Sequence, residues 1–305
     1  MAEVSDVVAA VDVGGTRIKA ALVTRAFDTL VAVTTPTPKD ITADIGGVVH
    51  ATVTDMLTTA ASDDRPARLV GCGVVVPGLV DEMRGVGVFS VNLGWRDLPG
   101  RDPVASLLGV PTVVGHDVRA GLLAETRLGA ARGARHALFL PVGTGIASAL
   151  LLDGAVVTAD GRAGELGHLV IDPAGPACGC GATGCLEVIA SAAAIEREYA
   201  ARTGRIVAAE EVAERASAGD PDATAVWARA VAALAQAIVA TVTITGVDLV
   251  LIGGGLAESG AALLDPLRAD VASRLTFQRP PRLAQAALGN LAGCLGAACL
   301  AWDAL

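Results

Sequence analysis

Aromatic residues are scarce in this chain of 305, which holds four Phe, three Trp and one Tyr. A core with so few rings has to close on aliphatic side chains, and alanine, valine and other small residues supply much of the 52% hydrophobic content. Lysine is rarer still: Lys19 and Lys39 are the only two, and arginine carries almost all the positive charge. No basic block exists and the net charge is −9, which argues against a general nucleic-acid binder or a membrane-surface protein. The N-terminal stretch, MAEVSDVVAA, has acidic residues where a signal peptide would be positively charged. A clean span of about 20 apolar residues is missing too. The two uncharged windows, 137–152 and 283–302, contain Pro141 and a Gly-Thr-Gly turn in one, Gln285 and Asn290 in the other, and read as buried elements of a globular core. The cytoplasm is the expected compartment.

Against that background, residues 164–187 stand out. GELGHLVIDPAGPACGCGATGCLE gathers Cys178, Cys180, Cys185, His168, Glu165 and Glu187. Three thiols in a Cys-x-Cys-x4-Cys array with a histidine ten residues upstream are the donors a tetrahedral zinc prefers. Surrounding glycines let the backbone fold tightly enough to converge them. All four positions are filled by protein, so the zinc is expected to be structural. Cys72, Cys294 and Cys299 lie in apolar runs and read as reduced core residues.

In chain order, apolar runs at 7–13 and 17–24 read as a β-hairpin joined by Gly14-Gly15 with both turn residues at positive φ. A third strand is expected at 30–34, a helix over 41–61, a buried strand at 69–76, then an irregular region and a short helix near 102–108. A strand at 111–114 leads into His116-Asp117 and a helix over 118–128. A second strand pair, 137–142 and 146–152, surrounds Gly143-Thr144-Gly145. Helices are expected at 188–202, 208–218 and 220–243, the last capped by Asp220 with Pro221 at its first position. A strand at 247–252 ends in Gly253-Gly254-Gly255, and helices at 260–275 and 283–302 finish the chain. Hairpins followed by strand–helix alternation occur twice, which indicates a two-domain α/β architecture with similar halves and a boundary near Gly115.

Asp12-Val13-Gly14-Gly15-Thr16 puts a carboxylate at the end of a buried strand, directly before a turn without side chains. Backbone N–H groups there can approach phosphate oxygens, Thr16 adds a hydroxyl, and Asp12 is placed to hold a hydrated Mg²⁺. An ordinary tight turn is an equally good account of Gly14-Gly15 alone. Gly143-Thr144-Gly145 repeats the chemistry, and Gly253-Gly254-Gly255 would let an adenosine face approach the backbone. Together the three turns point to a nucleotide cleft between domains. Asp117, at a strand–helix junction, can accept a hydroxyl proton during phosphoryl transfer or cap the helix, and both roles can coexist. Glu165 and Glu187 are suited to a polyhydroxylated ligand or to solvated loop charge.

These motifs resemble the ROK family (repressors, open reading frames and sugar kinases) of the actin-like ATPase superfamily. The match runs through DVGGT at 12–16, NLGW at 92–95, GTG at 143–145, GELGH at 164–168, CGCGATGCLE at 178–187, GGG at 253–255 and LGNLAGCLGAA at 288–298. The resemblance implies a two-domain actin-like (ribonuclease H-like) α/β fold with ATP and sugar in the interdomain cleft. Its small domain would be 1–115 with the C-terminal helix 288–305, and its large domain 116–287 with the zinc loop 164–187. It makes Asp117 the general base and Asp12 the Mg²⁺-side aspartate. Asn92, His116, Glu165, His168 and Glu187 would line the sugar, with a homodimer or higher homo-oligomer as the assembly. His168 would place one ring nitrogen on zinc and the other toward a sugar hydroxyl. Family kinases usually read Asn-Asp-Ala-Asn around the base; here it is His116-Asp117-Val118-Arg119, so a neutral amide is exchanged for an imidazole and a cation enters. Ala147-Ser148 also stands where a glycine commonly follows the phosphate turn.

The activity implied is an ATP- and Mg-dependent hexose kinase acting at O6, with glucose as the default sugar. The alternatives are an N-acetylglucosamine or N-acetylmannosamine kinase, a polyphosphate donor, or a sugar-binding protein or regulator without turnover. Regulators of the family carry a DNA-binding domain ahead of the first glycine motif, and a motif starting at Asp12 leaves no room for one.

Overall fold

The apolar run behind Asp12 becomes the central strand of a five-stranded sheet in the computed structural model, which describes residues 4–90 and 93–305. The first part of the chain forms β1 (Ser5–Val13), β2 (Arg17–Thr24), β3 (Thr29–Pro36), α1 (Ile45–Ser62) and β4 (Ala67–Val76). It continues through β5 (Leu79–Asp81), β6 (Val86–Ser90), β7 (Trp95–Pro99), α2 (Arg101–Leu108), β8 (Thr112–His116) and α3 (Asp117–Leu128). The sheet order is β3-β2-β1-β4-β8, with β1, β2 and β3 antiparallel and β1, β4 and β8 parallel.

β1 is apolar along nearly its whole length because both of its faces are covered. Val7, Ala9, Val11 and Val13 point into one cluster with Val49, Val53 and Met56 of α1. Val8 and Ala10 point the other way, to Ala297, Ala298 and Ala301 of the C-terminal helix. The alternation is the period of a strand.

The second part holds β9 (Ala137–Pro141), β10 (Ala149–Leu152), β11 (Ala155–Val156), α4 (Glu187–Ala190), α5 (Ala192–Thr203), α6 (Ala209–Ser217) and α7 (Pro221–Thr245). β12 (Leu249–Gly253), α8 (Ala261–Arg274), β13 (Arg282–Gln285) and α9 (Ala292–Asp303) follow. Its sheet order, β11-β10-β9-β12-β13, has the same succession of antiparallel and parallel pairs as the first. α7 is long and apolar enough to cross a bilayer by length and composition, but most of its apolar window is buried, with Val226, Ala230, Leu234 and Ile238 in the core of this unit. Its start is capped by Asp220, whose Oδ1 accepts from the N–H groups of Asp222 and Ala223, with Pro221 in the first turn.

The chain divides into two compact units. One comprises the chain up to Ala124 with Thr158–Ala163 and Asn290–Leu305; the other comprises Glu125–Val157 with Gly164–Gly289. The first crossing therefore falls inside α3, nine residues beyond Gly115.

Four local expectations change. Neither Gly14 nor Gly15 has positive φ: the loop between β1 and β2 spans residues 14–16, long enough to turn without the left-handed region. The region expected to be irregular holds a three-stranded antiparallel sheet, β5-β6-β7, at residues 79–81, 86–90 and 95–99. The helix expected over 188–202 is broken at Ser191, which is extended and whose Oγ accepts from the Ala194 N–H to start α5. Residues 282–285 do not begin the last helix. They pair in parallel with β12, and α9 starts only at Ala292.

Candidate active site

In the first unit Asp12 is the penultimate residue of β1, and the Gly14–Thr16 loop follows it. The loop is closed by Gly14 N–H to the Arg17 carbonyl at 3.0 Å. Thr37 braces it from outside: its Oγ1 donates to Gly14 O at 2.7 Å and its N–H to Thr16 O at 3.0 Å. Burial, then the nearby Asp117 carboxylate, push the Asp12 carboxyl up to about 7, while Lys19 pulls it down. Lys19 is the cross-strand partner of Asp12 in the β1–β2 register, and its Nζ donates to Asn290 O at 3.0 Å. A carboxylate so disfavoured in its charged form gains most from a cation beside it, which suits Asp12 to a hydrated Mg²⁺.

Asp117 opens α3 directly after β8. Its Oδ1 accepts from the Val118 N–H at 2.7 Å, so the carboxylate is oriented by the helix it starts. His116 is buried, and its Nδ1 accepts from the Arg119 N–H at 3.3 Å. That bond requires the lone pair on Nδ1 and the ring proton on Nε2, so the 3.5 Å approach of Nδ1 to Asp117 Oδ1 is a contact between two acceptors. Arg119 pairs with Glu82: Nε to Oε1 is 3.0 Å, and the same oxygen accepts from the His116 N–H at 3.3 Å. Its Nη1 donates to the carbonyls of Gly161 and Ala163 at 3.4 and 3.2 Å.

In the second unit two glycine turns meet at one residue. Val142 donates its N–H to Gly253 O at 2.9 Å and accepts from the Leu256 N–H at 3.0 Å, while the Val142–Ile146 bridge closes Gly143-Thr144-Gly145. Gly254 is at φ +75°, and a Cβ there would lie 2.3 Å from Val142 O, so this position requires glycine twice over. Glu187, first residue of α4, accepts from the Ile146 N–H at 2.9 Å through Oε2. The carboxylate expected on the sugar therefore also holds the Gly143–Gly145 turn.

Ser148 anchors the start of GELGH, with its N–H and Oγ both bonded to Gly164 O at 2.8 and 3.0 Å. Glu165 leads into a 3-10 turn at 166–168, and its Oε2 lies 4.0 Å from His168 Nε2. The other ring nitrogen faces the cysteines, with Nδ1 3.6 Å from Cys178 Sγ. Cys180 and Cys185 sulfurs are 3.7 Å apart, and the four donor atoms lie within 4.8 Å of one another. Burial and the neighbouring thiols push Cys185 up to about 12, whereas the Ala182 backbone N–H and the Cys178 side chain lower Cys180. A thiol such as Cys185 ionises near neutrality only beside a strong cation. The loop is tied to the helices behind it by Arg229, which reaches Asp172 at 3.5 Å and Glu198 at 2.9 Å.

The structure thus gathers Asp12, His116 and Asp117 in one unit, and Gly143–Gly145, Gly253–Gly255, Glu165, His168, Glu187 and the cysteines in the other. Asn92 lies outside the described residues. Lys19, Thr37, Glu82 and Arg229 were not found from the sequence. Only Lys19 left a signal there, seven residues after Asp12 across a hairpin that sets the two side chains opposite each other.

A glucokinase of Thermotoga maritima is 33% identical over 94% of this chain and 95% of its own. Among solved structures, the ROK hexokinase of Thermus thermophilus superposes with a TM-score of 0.80 at 34% identity, covering 97% of this chain and 98% of that one. A ROK family glucokinase of Streptomyces griseus, solved with glucose and AMPPNP, gives 0.82 at 27% identity over 97% and 99%. The fold is the two-unit actin-like ATPase fold of these sugar kinases. A family model described as ROK family matches residues 8–304, and the chain belongs to that family.

Proposed function

We propose that the protein is a cytoplasmic, ATP- and Mg-dependent hexose kinase that phosphorylates O6 of glucose. The observation that carries this reading is the placement of Asp117 at the β8–α3 junction, in the same unit as Asp12 and its phosphate-type loop. Asp117 takes the proton of the sugar hydroxyl as that oxygen bonds to the γ-phosphorus and the bond to the ADP oxygen breaks. Backbone N–H groups of Gly14–Thr16 and Gly143–Gly145 receive phosphate oxygens, and Gly253–Gly255 lies under the adenosine. Mg²⁺, held on the Asp12 side through water, would neutralise phosphate charge. His116, Glu165, His168 and Glu187, with Asn92, orient the sugar.

The cysteine loop fits zinc. A tetrahedron with bonds of about 2.3 Å to sulfur and about 2.0 Å to nitrogen has edges of about 3.8 and 3.5 Å. The Cys180–Cys185 and Cys178–His168 separations of 3.7 and 3.6 Å fall close to these. With Nδ1 on the metal, Nε2 of His168 is left facing Glu165 and the sugar.

ATP turnover against a panel of hexoses and N-acetylhexosamines, with polyphosphate as a second donor, tests the reading. Asp117→Asn should lower kcat at least about a hundredfold with little change in sugar Kd. Near-normal turnover in that variant removes Asp117 from the mechanism.

A further inference from the structure

We infer that Arg119 and Glu82 are a positioning pair for Asp117, acting by strapping Thr158–Ala163 against the first turn of α3. The inference rests on the kinase reading for what Asp117 does, while the strap itself is a matter of geometry. Arg119 has a side chain only 3% exposed. One edge of its guanidinium meets Glu82 Oε1, the oxygen that also accepts from the N–H of His116, the residue before Asp117. Through Nη1 it holds two carbonyls of the strap, Gly161 and Ala163. The strap lies directly on β5: a Cβ at Gly161 would stand 2.1 Å from the Val80 carbonyl, two residues before Glu82.

The Arg119–Glu82 pair therefore ties together the turn after β5, the backbone N–H of His116 just before Asp117, and the strap. An asparagine at 119, with one amide donor group and one acceptor, could not make this set of bonds; the guanidinium has five N–H donors in a fixed fork. The pair is a poor device for stability alone. Among the described residues Nη2 is buried without an acceptor, and buried ion pairs rarely out-stabilise apolar replacements. Placement is the role assigned. It extends along the chain, because the strap runs straight into Gly164, which Ser148 fixes, and then into Glu165.

The test is the double variant Glu82→Gln/Arg119→Met, which removes both charges and leaves no uncompensated ion in the interior. Its Tm should stay close to that of the parent protein. Its kcat should fall about tenfold or more while KM for ATP changes by less than about twofold. Trypsin supplies a readout independent of turnover, since Arg162 in the strap is exposed while its neighbours are held. Cleavage after Arg162 should be about tenfold faster in the double variant, because it reports local opening of the strap. Arg119→Lys keeps a charge for Glu82 but lacks the fork, and should fall between the two on both measures. Cleavage at the parental rate overturns the strap. Fast cleavage with parental kcat overturns the positioning role. Absence of hexose turnover in the parent protein sinks the kinase reading alone, and the cleavage rates still decide the strap.

Discussion

Asp12 makes the ligand-free protein sensitive to pH in a direction opposite to most paired carboxylates. Burial and Asp117 raise its carboxyl from an ordinary 3.8 to about 7. Between those values the folded chain keeps a proton that the unfolded chain has lost, so this group's contribution to stability is complete below about pH 4 and drains away as pH rises toward 7. The full difference is about 4 kcal/mol at 1.36 kcal/mol per pH unit, an upper figure because Asp12 retains some solvent contact. Urea unfolding of the parent protein and Asp12→Asn, from pH 4.5 to 8.5 without nucleotide or divalent cations, isolates it. Asparagine cannot ionise, so the parent should lose stability relative to the variant up to about pH 7 and run parallel above it. Mg²⁺ with nucleotide should recover that loss in the parent only, because the ion competes with the proton for the carboxylate. Parallel stability curves for the two proteins across the whole range would refute the reasoning.

Glu187→Ala takes away the acceptor of the Ile146 N–H, a charge-assisted bond worth about 1.5–3 kcal/mol. KM for ATP should rise together with KM for sugar; a rise confined to the sugar would mean that the Gly143–Gly145 turn does not depend on this carboxylate. On the zinc reading of the cysteine loop, a chelator should raise sugar KM before it disturbs nucleotide binding, measured side by side by kinetics and nucleotide titration. Simultaneous loss of both would assign the metal a purely global folding role. His116→Asn should shift or widen the range of sugars accepted, and an unchanged range would make the buried imidazole structural.

The parts of the site that were legible in the sequence are those whose chemistry is local. Cys178, Cys180 and Cys185 lie within eight residues, and His168 only ten upstream, so glycine-rich backbone alone brings them near one another. Asp12 and its glycines, or Asp220 with Pro221, are likewise readable because the partner groups are a few residues away. What escaped depends on distance along the chain. Arg119 reaches carbonyls 42 and 44 residues on, Arg229 reaches back 57 residues to Asp172, and nothing near either arginine announces its partner. β5, β6 and β7 escaped for another reason: strands of three to five residues are too short to set a period apart from the turns between them. β13 was read as helix because its apolar residues continue into α9 without a break in composition, and only pairing with β12 makes it a strand.

The two sheets share one plan, yet their leading strands end differently. β1 has Asp12 as its penultimate residue, and β9 has Leu140, which is fully buried. Next to Gly143–Gly145 the carboxylate is instead Glu187, which comes from α4 and accepts from the Ile146 N–H. Leu140→Asp would set a second strand-end carboxylate at a fully buried core position, without the lysine that lies opposite Asp12. The symmetry of the architecture is useful because the chemistry on it is lopsided.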